Sequence, residues 1–160
     1  MSATTRLILC ASLLGILCQS AFAQDSSTPN EIERRAFEQT NLERIKQGLP
    51  PFTWDADLGR LSRNYSETMS RQRFFSHVTP DGKRLPDRAR AAGIVRYSVL
   101  GENIAYNQGY DDPGLLAVER WMLSPKHRAN ILSSEFRAMA IGSYVAPDGS
   151  VYLTQTFIKR

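Results

Sequence analysis

The chain closes on two β-branched and aromatic runs, "RAMAIGSYV" (137–145) and "VYLTQTFI" (151–158), joined by the turn "APDGS" (146–150). Such a pair reads as a hairpin, and the segments ahead of it carry mostly helical spacing. Helices first and a hairpin last give an α+β fold with an antiparallel sheet.

Three of those helices announce their starts. Asn30 followed by Glu33 resembles an N-cap with an acidic third residue. Ile32, Ala36, Phe37, Thr40, Asn41, Leu42 and Ile45 then suggest a helix closed at Gly48. Asp55 can cap a second helix, in which Leu58, Leu61, Tyr65 and Met69 follow helical spacing to about Arg73. Asp112 with Pro113 opens a further helix through Met122. "LPDRARAAG" (85–93) is a short helix after the turn "TPDG" (79–82), and "VLGENIAY" (99–106) is an extended segment with a bend at Gly101.

Residues 1–23 read as a secretory signal: Arg6, the apolar run Leu7–Leu17 and the cleavage pattern Ala21-Phe22-Ala23. The apolar run is shorter than the roughly 20 residues a bilayer span needs. An uncleaved anchor, or lipidation at Cys18, are the competing readings. Residues 24–30 are a polar linker and 31–160 the folded domain. Both cysteines, Cys10 and Cys18, go with the signal. The exported domain, secreted or periplasmic, therefore has no internal disulfide and rests on its core. The net charge is +4 with scattered basic residues, and this gives no footprint for nucleic acid. Membrane contact is expected only through the export signal.

The chain has two histidines, His77 in "FFSHVTPDG" and His127 in "SPKHRANIL". Each alone reads as an ordinary hydrogen-bonding residue at a helix end or turn. Between them Glu102 follows a glycine inside an apolar strand-like segment, where an acid is costly unless paired. Two histidines and a carboxylate are one possible zinc set with an open position for water, but their spacings of 25 residues match no metal motif. A Ser–His–acid triad through Ser76 or Ser124 can also be drawn. P-loop, G-x-S-x-G, H-E-x-x-H and G-x-G-x-x-G patterns are missing from the sequence.

The ordered set "NLER…GLPPFTWDADL", "FFSHVTPDG", "GENIA", "WMLSPKHRANIL", "AIG" and "TQTF" resembles a bacterial member of the CAP superfamily. That SCP-like family includes cysteine-rich secretory proteins, antigen 5 and plant pathogenesis-related proteins. The resemblance runs from about Glu33 to Phe157. It implies an α-β-α sandwich with a central antiparallel sheet and a cleft. It also implies that His77, His127 and Glu102 line that cleft and hold zinc or another divalent cation. Animal members carry a second acid where this chain has Ser124. Glu119, about 140° around a helix from that position, does not replace it. Trp121 reads as core, and Asn103, Arg128 and Asn130 as loop hydrogen bonders.

The function implied is an exported, non-enzymatic binding module for a divalent ion or a ligand such as envelope lipid, sterol or glycan. The alternative is a metal-dependent hydrolase with Glu102 as general base.

Overall fold

The computed structural model describes residues 30–160. The expected signal (1–23) and the linker up to residue 29 lie outside the described residues. Asn30 caps the first helix, α1 (Glu31–Lys46). Its side chain accepts from the Glu33 amide at 3.0 Å while Glu33 accepts from the Asn30 amide at 3.0 Å, the reciprocal pair expected from the sequence.

The chain then runs through β1 (Thr53–Trp54), α2 (Ala56–Arg71), α3 (Leu85–Ala91), β2 (Val99–Gln108) and α4 (Pro113–Leu123). It ends with α5 (Pro125–Ile131), β3 (Ala138–Val145) and β4 (Ser150–Lys159). The closing hairpin forms as expected, with Gly149 at φ 80° in its turn. The sheet order is β1-β3-β4-β2. Its three long strands are antiparallel, and β1 adds a two-residue parallel edge on β3. The "GENIA" segment is thus a ten-residue edge strand, paired with β4 along its whole length.

Alternation along the strands sorts side chains into two layers. Met139, Ile141, Leu153 and Phe157 face Ala36 of α1, Ala117 and Trp121 of α4 and Ile131 of α5. On the other face Ala140 and Ile158 meet Leu58 and Leu61 of α2 and Ala89 of α3, while Ile104 meets Tyr65 and Met69. The result is an α-β-α sandwich. α2 lies directly on the sheet. A Cβ on Gly142 would fall 2.0 Å from the Arg63 amide nitrogen, so only glycine fits there. Ser66 Oγ donates to the Gly142 carbonyl at 2.8 Å.

Two sequence expectations shift. In α1, Leu42 and Ile45 are exposed, while Glu33, Thr40 and Arg44 are buried. Each buried polar group is satisfied across elements, which makes its burial tolerable. Arg63 Nη2 donates to Glu33 at 2.6 Å, Gln155 Nε2 donates to Thr40 at 3.0 Å, and Arg44 Nη1 donates to the carbonyls of Ile131 and Ser133. Second, "SPKHRANI" is a short helix and not a turn. Pro125 occupies its first position, where the missing N–H costs nothing, and Ser124 serves both as C-cap of α4 and as N-cap of α5.

Candidate functional site

The candidate site lies at the β2 edge of the sheet, and the end of α2 begins it. The Arg73 amide donates to Ser70 O and the Phe74 amide to Met69 O. Arg73 sits at φ 55°, and Phe74 packs against Met69 and Tyr65. This is a Schellman closure with arginine at the position glycine usually fills. It turns the chain back so that Phe75 to His77 run beside β2. Tyr65 Oη then donates to the Ser76 carbonyl at 2.5 Å, pinning the backbone just before His77. Burial raises the Tyr65 phenol above its ordinary value, which keeps it a donor.

Glu102, on the same face as α2, is the centre of the arrangement. Its side chain is 6% exposed. His77 Nδ1 lies 2.9 Å from Oε1, and the Arg88 guanidinium, 9% exposed, pairs with Oε2. Arg88 also donates to the His77 carbonyl at 3.2 Å and stacks 3.3 Å over the Tyr65 ring. The costly acid in an apolar strand is therefore paired, and its partner comes from α3. His77 itself is 52% exposed, so its ring is open to solvent.

His127 reaches the same edge from the other side, on α5. Asn103 Nδ2 donates to its carbonyl at 3.2 Å and to Gln155 Oε1 at 2.9 Å. Asn130 Nδ2 donates to Asn103 Oδ1 at 2.8 Å and to the Glu102 carbonyl at 3.2 Å. Trp121, 1% exposed, donates from Nε1 to the Ile104 carbonyl at 2.9 Å. Trp121 is core as expected. The two asparagines hold the fold, but from a strand and a helix and not from loops. Burial, and then an electrostatic interaction with His77, hold the His127 imidazole below its ordinary value. The two rings thus sense one another electrostatically.

Among the described residues no group of three or more His, Cys, Asp or Glu side chains is arranged as a metal cluster. The donor chemistry nevertheless suits a cation. With His77 Nδ1 turned to Glu102, Nε2 remains as a donor atom, and His127 is kept neutral. Glu102 has both oxygens engaged, so it stands behind His77 as an orienting carboxylate. Ser124 is half-buried at the α4–α5 junction and makes no side-chain cap bond; Glu119 is exposed.

Sequence reasoning missed Arg88. Its signal was indirect, namely the need of Glu102 for a partner, and "LPDRARA" offers two arginines to fill it.

A sandwich with these edge residues defines a class. The profile of the cysteine-rich secretory protein (CAP) family matches residues 37–157, and the chain belongs to that family. It is 38% identical over 128 residues to the uncharacterized membrane protein YlbC of Bacillus subtilis, covering 80% of this chain and 34% of that one. It is 37% identical over 138 residues to the uncharacterized protein YkwD of the same organism, covering 84% and 51%. The chain thus spans a third to a half of the curated relatives it matches. Among solved structures, an extracellular SCP-domain protein from Bacillus anthracis superposes with a TM-score of 0.69 at 29% identity, over 81% of this chain and 40% of that one. Among the described residues, no helix is long and apolar enough to cross a membrane.

Proposed function

We propose that this chain is an exported CAP-domain binding module whose β2-edge cleft takes a divalent cation, zinc being the natural probe, between the imidazoles of His77 and His127. The observation that carries the reading is the His77–Glu102 contact, fixed from behind by Arg88. A carboxylate on one ring nitrogen sets the tautomer and raises the basicity of the other, as behind many metal-bound histidines. The same engagement argues against hydrolysis, because a carboxylate shared by Arg88 and His77 is poorly placed to act as general base. Export rests on the signal-like residues 1–23 and on the extracellular character of the Bacillus anthracis relative.

Two imidazoles without a carboxylate ligand bind modestly, and protons compete for them as pH falls. Calorimetric titration with zinc at pH 7.5 tests the reading. Wild type should bind, His127→Ala should lose binding, and Ser124→Glu should bind more tightly because its charge favours the cation. Equal affinity in wild type and His127→Ala would place the cation elsewhere and end the proposal.

A further inference from the structure

Register places three tyrosines in one row. Tyr106 of β2 lies opposite Tyr152 of β4, and Tyr152 lies opposite Tyr144 of β3. Directly paired residues share a sheet face, here the face that α2 covers further along. α2's last buried residue, Met69, packs with Tyr65 on Ile104, one inward-facing position before Tyr106. The helix ends there, and the tyrosine row runs out beyond it. Phe75, held by the turn at Arg73, folds over the row. The Phe75 and Tyr106 ring centroids are 6.3 Å apart, Tyr106 and Tyr152 5.0 Å apart, both edge-to-face. Arg73, Phe74, Phe75, Tyr106 and Tyr152 enclose an open concavity of about 420 Å³.

Several properties choose its occupant. Phe75 is 50% and Tyr106 42% exposed. An acyl chain laid on rings this open would keep much of its surface in water, whereas a sugar ring has one flat C–H face for an aromatic ring and hydroxyls at its rim for water and phenols. The hydroxyls of Tyr106 and Tyr152 have no protein partner among the described residues. Arg73 makes no ion pair among them, and it keeps a left-handed backbone that glycine would adopt freely. A guanidinium without an ion pair among the described residues, set beside stacked rings, complements a carboxylate. Phe75 meets Tyr106 and His77 meets Glu102, four residues apart on one strand or roughly 13 Å, so an extended ligand could lie along both.

We propose that this aromatic concavity binds a glycan strand bearing carboxylates. The site is separate from the imidazole pair, so its failure leaves the cation reading standing, and the reverse also holds.

The test is calorimetric titration of the full chain with two tetrasaccharides. One is (GlcNAc-MurNAc)2, whose lactyl groups carry carboxylates, and the other is the GlcNAc tetramer, which has none. The lactyl form should bind at least several-fold more tightly. Tyr106→Ala and Phe75→Ala should each weaken binding of both sugars about tenfold, with unchanged thermal melts showing that they fold. Arg73→Gly should remove only the preference for the lactyl form. Absence of binding to either sugar, or affinities untouched by Tyr106→Ala and Phe75→Ala, would overturn the site. Equal affinity for the two sugars would overturn the assignment of Arg73. Binding instead to phosphatidylglycerol vesicles, lost in Tyr106→Ala, would make the surface a membrane contact and also overturn the proposal.

Discussion

Replacing Arg88 by methionine should show how strongly the buried Glu102 carboxylate at the centre of the candidate site depends on one side chain. The Arg88–Glu102 pair is almost wholly buried, at 9% and 6% exposure. Removing one member of a buried pair leaves an uncompensated charge and costs about 3–5 kcal/mol. The guanidinium also stacks 3.3 Å over Tyr65, a contact worth about 2 kcal/mol when desolvated. Both losses come from the same group, so they do not add. Methionine keeps most of the stem's packing. The expected cost is therefore about 3–5 kcal/mol, a large part of the 5–15 kcal/mol typical of a whole domain. The double variant Arg88→Met/Glu102→Leu should recover most of it, because a buried pair exchanged for apolar groups is often neutral. His77, half exposed, can replace Glu102 with water. Urea unfolding followed by the fluorescence of Trp54 and Trp121 measures all three proteins, provided the m-value holds. A cost below about 1 kcal/mol for Arg88→Met, or no recovery in the double variant, would refute the argument that Glu102 is a desolvated charge held by Arg88.

Two further outcomes are expected. Because His127 is held below its ordinary value by burial and by His77, the unfolded chain takes up that proton more readily than the folded one. The stability linked to His127 is then fully present above about pH 6.5 and is lost as pH falls from there towards the folded value. Urea midpoints measured between pH 8 and pH 5 should fall less steeply in His127→Gln than in wild type, and identical slopes would contradict this. Arg73→Gly should raise the melting temperature. Relief of the left-handed arginine gains about 1–2 kcal/mol, offset by about 0.5–1 kcal/mol for the greater freedom of glycine when unfolded. The net rise should be about 2–4 °C by thermal melt, and a lower melting point would mean that Arg73 holds the fold and is not strained by it.

Much of this architecture was legible because its signals are local. Asn30 with Glu33, Asp55, and Asp112 with Pro113 each mark a helix start within three or four residues, and all three caps form. The final hairpin carries its own turn. What escaped depends on contacts distant in sequence. α5 is a single short helix whose proline reads equally well as a breaker, and its place is fixed by Asn130 and Asn103 across 27 residues. The two residues of β1 form a strand only because β3 passes beside them. Leu42 and Ile45 looked like a buried stripe, yet the face of α1 that meets the sheet holds Glu33, Thr40 and Arg44, whose partners lie 30 to 115 positions away. For the site, the need of Glu102 for a partner could be read from its apolar neighbours. That Arg88 would meet it, and that Tyr106, Tyr144 and Tyr152 would align, follows only from packing and register.

The side-chain donors along β2 have a consequence for how this domain behaves among copies of itself. A ten-residue edge strand is a ready template for another chain to add to, the usual start of intermolecular sheet growth. Here the Glu102 carbonyl accepts from Asn130 and the Ile104 carbonyl from Trp121, so the middle of that edge is already occupied by the flanking helices. At the opposite edge, β1 pairs only the first two residues of β3, and further along the Ser143 amide donates to Glu33 at 2.9 Å. The residues that frame the candidate site therefore also shield the middle of the β2 edge from strand addition. A variant such as Trp121→Phe would lose more than core packing, because it would open a backbone acceptor along the β2 edge and turn the domain towards self-association.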